Sequence, residues 1–329
     1  MPTAPGRPAI RRLGLAFAAL LAAGVALEAR AQTWPQKPVR MVLTFPPGGP
    51  SDILTRMVSE RLQATFRQPF VVENRAGAGG NVGAAEIARA APDGYTFGVT
   101  TDTLFTVNPL VYSKMPLDPW RDLAPVTLLA SFSQMMVCNP SVPAKTLGEL
   151  LALAKREQLT YASGGAGVPG HLASELLLSM SGVEMTHVPY KGPAAATTDV
   201  MGGQVHCGFL AAPTVLPHVK AGKLVGLAVS ATQRSPLAPQ IPTVDEAGVR
   251  GYDATFYLVL FAPRDVPADI VAAVNREVAK ALAAPDVKER LQAADIVTLG
   301  TSREDTVKTL RAVAAKWEPV IKRIGLRLE

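Results

Sequence analysis

Charge is scarce in this sequence. Lys, Arg, Asp and Glu together make up 18% of it, and no basic stripe is interleaved with aromatic residues, which excludes a nucleic-acid surface. Cys138 and Cys207 are its two cysteines, too few for a disulfide framework, and no Cys/His cluster has zinc spacing. The H-E-x-x-H and G-x-S-x-G patterns are missing, so neither a zinc hydrolase nor an elbow-type serine esterase has support. Beyond residue 31 no uninterrupted apolar run is long enough to span a bilayer.

What is present begins with a leader. Arg7, Arg11 and Arg12 precede the apolar run LGLAFAALLAAGVAL, and Ala29-Arg30-Ala31 follows it. This basic, apolar, small-x-small order is that of a secretory signal peptide, with cleavage expected after Ala31 and export to the periplasm. Residues 1–31 carry four arginines against Glu28, so the rest of the chain keeps +3 of the total +6. That mild basicity suits a small anion. Both cysteines fall in expected strands, so two buried thiols are the expected state, although an oxidising compartment permits a bond.

About three hundred remaining residues suffice for two cores. Strands are expected at 38–45, 69–73, 95–100, 125–138, 159–162, 185–190, 205–210 and 224–229. Helices are expected at 52–66, 80–91, 146–156, 170–181, 193–202, 213–221, 268–283, 286–294 and 303–323. The alternation predicts an α/β fold of parallel-rich sheets flanked by helices. Residues 128–141 and 256–263 read as extended connectors. They divide the chain into one lobe at 32–132 plus 253–329 and another at 133–252, with two hinge crossings. Val307, Leu310, Ala314, Trp317, Ile321 and Ile324 form the apolar stripe of the last helix, with Trp317 in the core.

Five loops share one position, after a strand and before a helix. The first contains Phe45, Pro47, Gly48, Gly49, Pro50, Ser51 and Asp52, where Ser51 and Asp52 are good caps. The second, ENRAGAGGNVGAAEIA, contains Gly79; the third, rich in hydroxyls, contains Thr100, Thr101 and Asp102. The fourth contributes Ser163, Gly164, Gly165, Gly167 and His171, and the fifth Tyr190. In open α/β sheets the ligand crevice lies beyond the carboxyl ends of the strands. Two facing lobes would place all five loops on one cleft, where backbone N–H groups hold a carboxylate without an arginine. An ordinary strand–helix connection is the competing reading of the first loop, and helix capping that of Asp52.

Gly165, Gly167 and Gly170 also spell G-x-G-x-x-G, but the next strand ends in Pro189-Tyr190-Lys191 with no acidic residue for a ribose. No dinucleotide, other cofactor or metal is therefore expected, and no catalytic residue is assigned. His187, His206 and His218 read as packing or surface residues.

Taken together, FPPGGPSD, VVENRAGAGGNVGA, APDGYTF, NPSVPAKTLGELLALAK, HVPYKG, GGQV, LPHVKAGKL and RSPLAPQIPTVDEAG resemble the Bug family, the periplasmic receptors of tripartite tricarboxylate transporters. The resemblance covers the mature chain. It implies a two-lobed periplasmic binding protein of the venus-flytrap, type II-like form that is not an enzyme, and membrane transporter subunits as partners. It further implies that residues 45–52 meet a carboxylate partly through water, and that 100–102 and 163–167 complete the cage. Phe209 is followed by Leu210 and Ala211 where the family often has an acidic or polar residue, and the family's frequent Trp near 257 is replaced within Phe256-Tyr257-Leu258. These departures favour a carboxylate with an apolar or aromatic body over an amino acid. A monomer is expected. A ligand-sensing adaptor for a sensor-kinase ectodomain and an exported hydrolase are the alternatives.

Overall fold

The computed structural model describes residues 34–329; the leader and its cleavage point lie outside the described residues. In chain order the elements are β1 (Val39–Leu43), α1 (Pro50–Phe66), β2 (Phe70–Asn74), α2 (Asn81–Ala88), β3 (Thr96–Thr101), α3 (Thr103–Thr106), α4 (Asn108–Val111), α5 (Pro119–Asp122) and β4 (Leu123–Phe132). Next come β5 (Gln134–Cys138), α6 (Leu147–Ala154), β6 (Thr160–Ser163), α7 (Pro169–Ser181), β7 (Thr186–Pro189), α8 (Pro193–Met201), β8 (Cys207–Ala211), α9 (Ala212–Lys220) and β9 (Val225–Val229). The chain ends with β10 (Phe256–Pro263), α10 (Ala268–Ala283), α11 (Pro285–Ala293), β11 (Ile296–Thr298) and α12 (Arg303–Ile324).

These strands make two sheets, ordered β11-β4-β10-β3-β1-β2 and β7-β6-β8-β5-β9. Each has a parallel half, β2-β1-β3 and β7-β6-β8, built from strand–loop–helix units. The strands carrying the chain between sheets run antiparallel to their neighbours: β10 beside β3 and β4, β5 beside β8 and β9. The expected single run 125–138 is two strands in different sheets, because pairing breaks at Ser133, whose carbonyl accepts the Ala212 N–H at 3.1 Å.

The apolar periodicity finds its core. In the first sheet Val42, Leu128, Val259 and Phe261 pack with Leu104 of α3 and Leu310 of α12. In the second, Met135, Val137, Leu210, Val215, Leu216 and Ile241 cluster. Trp317 is buried and stacks on Phe256 with ring centroids 5.9 Å apart.

The cysteines correct an expectation. Cys138 and Cys207 are directly paired across β5 and β8, and their sulfurs are bonded at 2.05 Å. Strand residues from distant parts of the sequence became opposite partners, which local periodicity does not report. The hydroxyl-rich third loop turns straight into α3, where the Thr106 hydroxyl donates back to the Asp102 carbonyl at 3.0 Å. Among the described residues, no helix is long and apolar enough to cross a membrane.

Candidate functional site

Three helices begin at one place. α1, α7 and α8 each carry proline at their first position, Pro50, Pro169 and Pro193, where a missing N–H costs nothing and the ring presets the helical φ. Their caps are Gly49, Val168 and Gly192, and none offers a side-chain acceptor. The other first-turn N–H groups are therefore left for an outside partner; that of Asp52 already donates to the Gly49 carbonyl at 3.0 Å, and the Asp52 carboxylate lies in the first turn of α1.

All three prolines line one open cavity, whose empty space, open solvent included, is ≈ 520 Å³. Phe45, Pro46, Gly49 and Ser51 come from the first loop and Thr101 from β3; Gly164, Val168 and Gly170 come from the fourth loop and the start of α7. Phe132, Gln134 and Leu258, from the strands at the two crossings, and Leu210 and Ala211, from the end of β8, close it. None of the lining residues is charged. Helix ends thus supply the positive potential, and the walls are mainly hydrocarbon.

Of the first-loop candidates, Phe45, Gly49, Pro50 and Ser51 reach the cavity, while Pro47, Gly48 and Asp52 do not. Asp52 shapes the loop instead. Its carboxylate accepts the Gly48 N–H at 3.2 Å and the Arg56 Nε–H at 3.0 Å. Gly48 sits at φ 87°, a backbone state suited to glycine. The Phe45 carbonyl accepts from Asn74 Nδ2 at 2.9 Å, tying the loop to the end of β2.

In the third loop, Thr101 lines the cavity and Thr100 does not. The Thr100 hydroxyl is buried against that of Thr44 at 2.9 Å. Asp102 is buried beside Tyr257, and desolvation pushes its carboxyl up to about 7.

The fourth loop is braced from beneath. Ser163 Oγ donates to the Gly165 carbonyl at 2.8 Å and lies 2.7 Å from His187 Nε2. His171 Nδ1 accepts the Gly167 N–H at 3.0 Å, so its ring proton is on Nε2, 3.6 Å from the Glu175 carboxylate. The two imidazoles stack at 4.0 Å, with Tyr161 4.9 Å from His187. Burial pushes His171 down to about 3, with the neighbouring His187 adding to the effect, and burial pushes His187 down to about 4; both are neutral at pH 7. Ser163, Gly167 and His171 therefore hold the loop, and Gly164 presents it to the cavity.

Gly79, Gly165 and Tyr190 line a wider, neighbouring hollow of ≈ 1460 Å³ that shares Phe45, Pro46, Gly164 and Val168 with the first. Tyr190 donates its hydroxyl to Asp199 at 2.7 Å. Phe209 is buried and away from the cavity, whereas the two residues after it, Leu210 and Ala211, line it. Phe132, Gln134, Val168, Pro169, Gly170, Pro193 and Leu258 were not among the sequence-derived candidates. The three prolines at helix starts were the available signal for Pro169 and Pro193. The strand residues had none, since their place depends on how two sheets meet. Among the described residues, no group of three His, Cys, Asp or Glu side chains could hold a metal ion.

Comparison with known proteins agrees with this architecture. The family model "Tripartite tricarboxylate transporter family receptor" matches residues 54–326. Protein BugT of Bordetella pertussis is 32% identical over 314 residues, covering 93% of this chain and 95% of BugT. The structure of R. palustris Rpa4515 with adipate has 35% identity and a TM-score of 0.87, covering 90% of this chain and 99% of that one. MatC from Rhodopseudomonas palustris, with bound malate, has 29% identity and a TM-score of 0.83, covering 88% and 100%. On the extent of the family match and the BugT identity, the chain belongs to the tripartite tricarboxylate transporter receptor family, whose members are solute-binding receptors and not enzymes.

Proposed function

We propose that the protein is a periplasmic receptor that captures a small carboxylate in the ≈ 520 Å³ cavity and presents it to membrane transporter subunits. One observation carries this reading: three helix N-termini converge on a cavity with no charged side chain in its lining. An anion gains there from dipoles and N–H groups, while a cation has no counter-charge. Charge-assisted hydrogen bonds contribute about 1.5–3 kcal/mol each. A few of them reach the roughly 8 kcal/mol of a micromolar site, once ordering costs are offset. The bound adipate and malate of two structural relatives are carboxylates, which supports the same chemistry here.

Leu210, Ala211, Leu258 and Phe132 favour a ligand with an apolar or aromatic body, and the lack of a lining acid disfavours an amino acid. The proposed lobes are 32–132 with 253–329, and 133–252, acting as a monomer that closes by hinge motion where the chain changes sheets.

A thermal-shift screen of residues 32–329 against dicarboxylates, tricarboxylates, aromatic carboxylates and amino acids tests the reading. A carboxylate at a hundred times its Kd stabilises by about 2.7 kcal/mol and raises Tm by several degrees. Absence of any carboxylate shift, in protein shown by mass spectrometry to carry no co-purified ligand, overturns it.

A further inference from the structure

Gln134 opens β5 and is 3% exposed. Its main chain is satisfied on both sides: its N–H donates to Ser230 Oγ at 2.9 Å and its carbonyl accepts the Ser230 N–H at 2.8 Å. Its side chain is not. The carboxamide lines the ≈ 520 Å³ cavity, and among the described residues neither its oxygen nor its nitrogen has a hydrogen-bond partner. Its polar atoms are not sealed off, as Asp102 Oδ2 is; they open onto the cavity, where an occupant rather than the protein meets them. Oε1 is at the start of α7, 3.4 Å from where a Cβ on Gly170 would stand. Of the other strand residues around the cavity, Phe132, Leu210, Ala211 and Leu258 offer only hydrocarbon side chains, and the Thr101 hydroxyl is engaged with that of Thr103 at 2.6 Å.

A carboxamide carries two donors and one acceptor. A second carboxylate would satisfy the donors and oppose the acceptor. An ammonium would satisfy the acceptor and be repelled by the helix N-termini. A neutral group that both donates and accepts satisfies both sides.

We infer that Gln134 is the specificity-determining residue of the cavity, and that it selects carboxylates whose other end is a hydroxyl or primary carboxamide. This inference rests on the carboxylate reading above and refines it. Sequence patterning gave no warning of it, because Gln134 sits in what reads as one apolar run.

Calorimetric titration of the mature protein tests it with matched four- to seven-carbon probes: alkanoates, ω-hydroxyalkanoates, diacid monoamides and diacids. At the chain length that fits, the hydroxy acid or monoamide should bind about 10- to 100-fold tighter than the plain alkanoate. Gln134→Met, close in length and volume, should bring the hydroxy acid and monoamide to the affinity of the plain alkanoate measured on the same variant. Gln134→Leu serves if the Met variant does not fold, with Tm as the check on folding. Diacids binding tightest to the wild type, or a preference that survives both substitutions, overturns the role of Gln134 while leaving the carboxylate reading intact. Failure of every probe, alkanoates and diacids included, overturns the carboxylate reading and this inference with it.

Discussion

Asp102 and Tyr257 are joined twice. The Asp102 N–H donates to the Tyr257 carbonyl at 2.9 Å, and the Tyr257 N–H donates to Asp102 Oδ1, also at 2.9 Å. The second carboxylate oxygen, Oδ2, is buried without a partner. The pair stands where β3 ends and β10 begins, and each residue adjoins one that lines the cavity, Thr101 and Leu258. The carboxyl expected from the sequence as a ligand contact is engaged in a clasp between two strands at a crossing.

That clasp predicts an unusual pH dependence. Burial raises the Asp102 carboxyl to about 7, with Lys316 drawing it back slightly, so the folded state binds a proton that the unfolded state releases near pH 4. Its contribution to stability is present below about pH 4 and is lost as pH rises towards 7. His171 and His187 act oppositely. Depressed to about 3 and about 4, they contribute stability above pH 6.5 that is lost as pH falls. Two imidazoles outweigh one carboxyl, so wild-type Tm should fall from pH 7 to pH 5. Asp102→Asn should make that fall steeper and raise Tm at pH 8. Parallel wild-type and variant curves from pH 5 to 8 would show that Asp102 does not titrate this way.

The disulfide should matter for stability and not for binding. Cys138 and Cys207 close a loop of 69 residues, for which chain entropy predicts about 4 kcal/mol. Reduction, or the double change Cys138→Ala with Cys207→Ala, should lower Tm by on the order of 10 °C. Cys138 lies at the far end of β5 from Gln134, and neither sulfur lines the cavity. The affinity for a carboxylate found by the screen should therefore stay within about two-fold. A large loss of affinity on reduction would mean that β5 transmits the constraint to the cavity.

The fold was legible where the physics is local. Apolar periodicity located α10 at 268–283 and the buried stripe of α12, and glycine–proline loops marked the strand ends. What escaped depended on non-local pairing. β11 has three residues and is held as an edge strand by Ile296 opposite Phe132, too short for a pattern. The break at Ser133 is set by which sheet each half joins. The site divided the same way. The helix starts were readable, but His171 and Ser163 sit behind the fourth loop, and Gln134 enters the cavity only because the chain leaves one sheet after β4 and joins the other as β5.

Two glycines test whether close backbone packing sets the cavity. A Cβ on Gly170 would stand 2.1 Å from the Phe209 carbonyl oxygen, a backbone atom that cannot rotate away. Gly170→Ala must therefore push the start of α7 off β8, and with it one of the three helix ends facing the cavity. Overpacking of this kind costs about 1–3 kcal/mol or more. Carboxylate affinity should fall by about ten-fold, the equivalent of one weakened hydrogen bond. Gly148, in α6, has nothing within 4 Å of its Cβ position and is not among the positive-φ glycines. There alanine removes only the flexibility of the unfolded chain, so Gly148→Ala should stabilise by about 0.5–1 kcal/mol and leave affinity unchanged. Urea unfolding and titration of both variants separate the effects. A Gly170→Ala protein as stable and as tight-binding as Gly148→Ala would mean that α7 has room to move without disturbing the site.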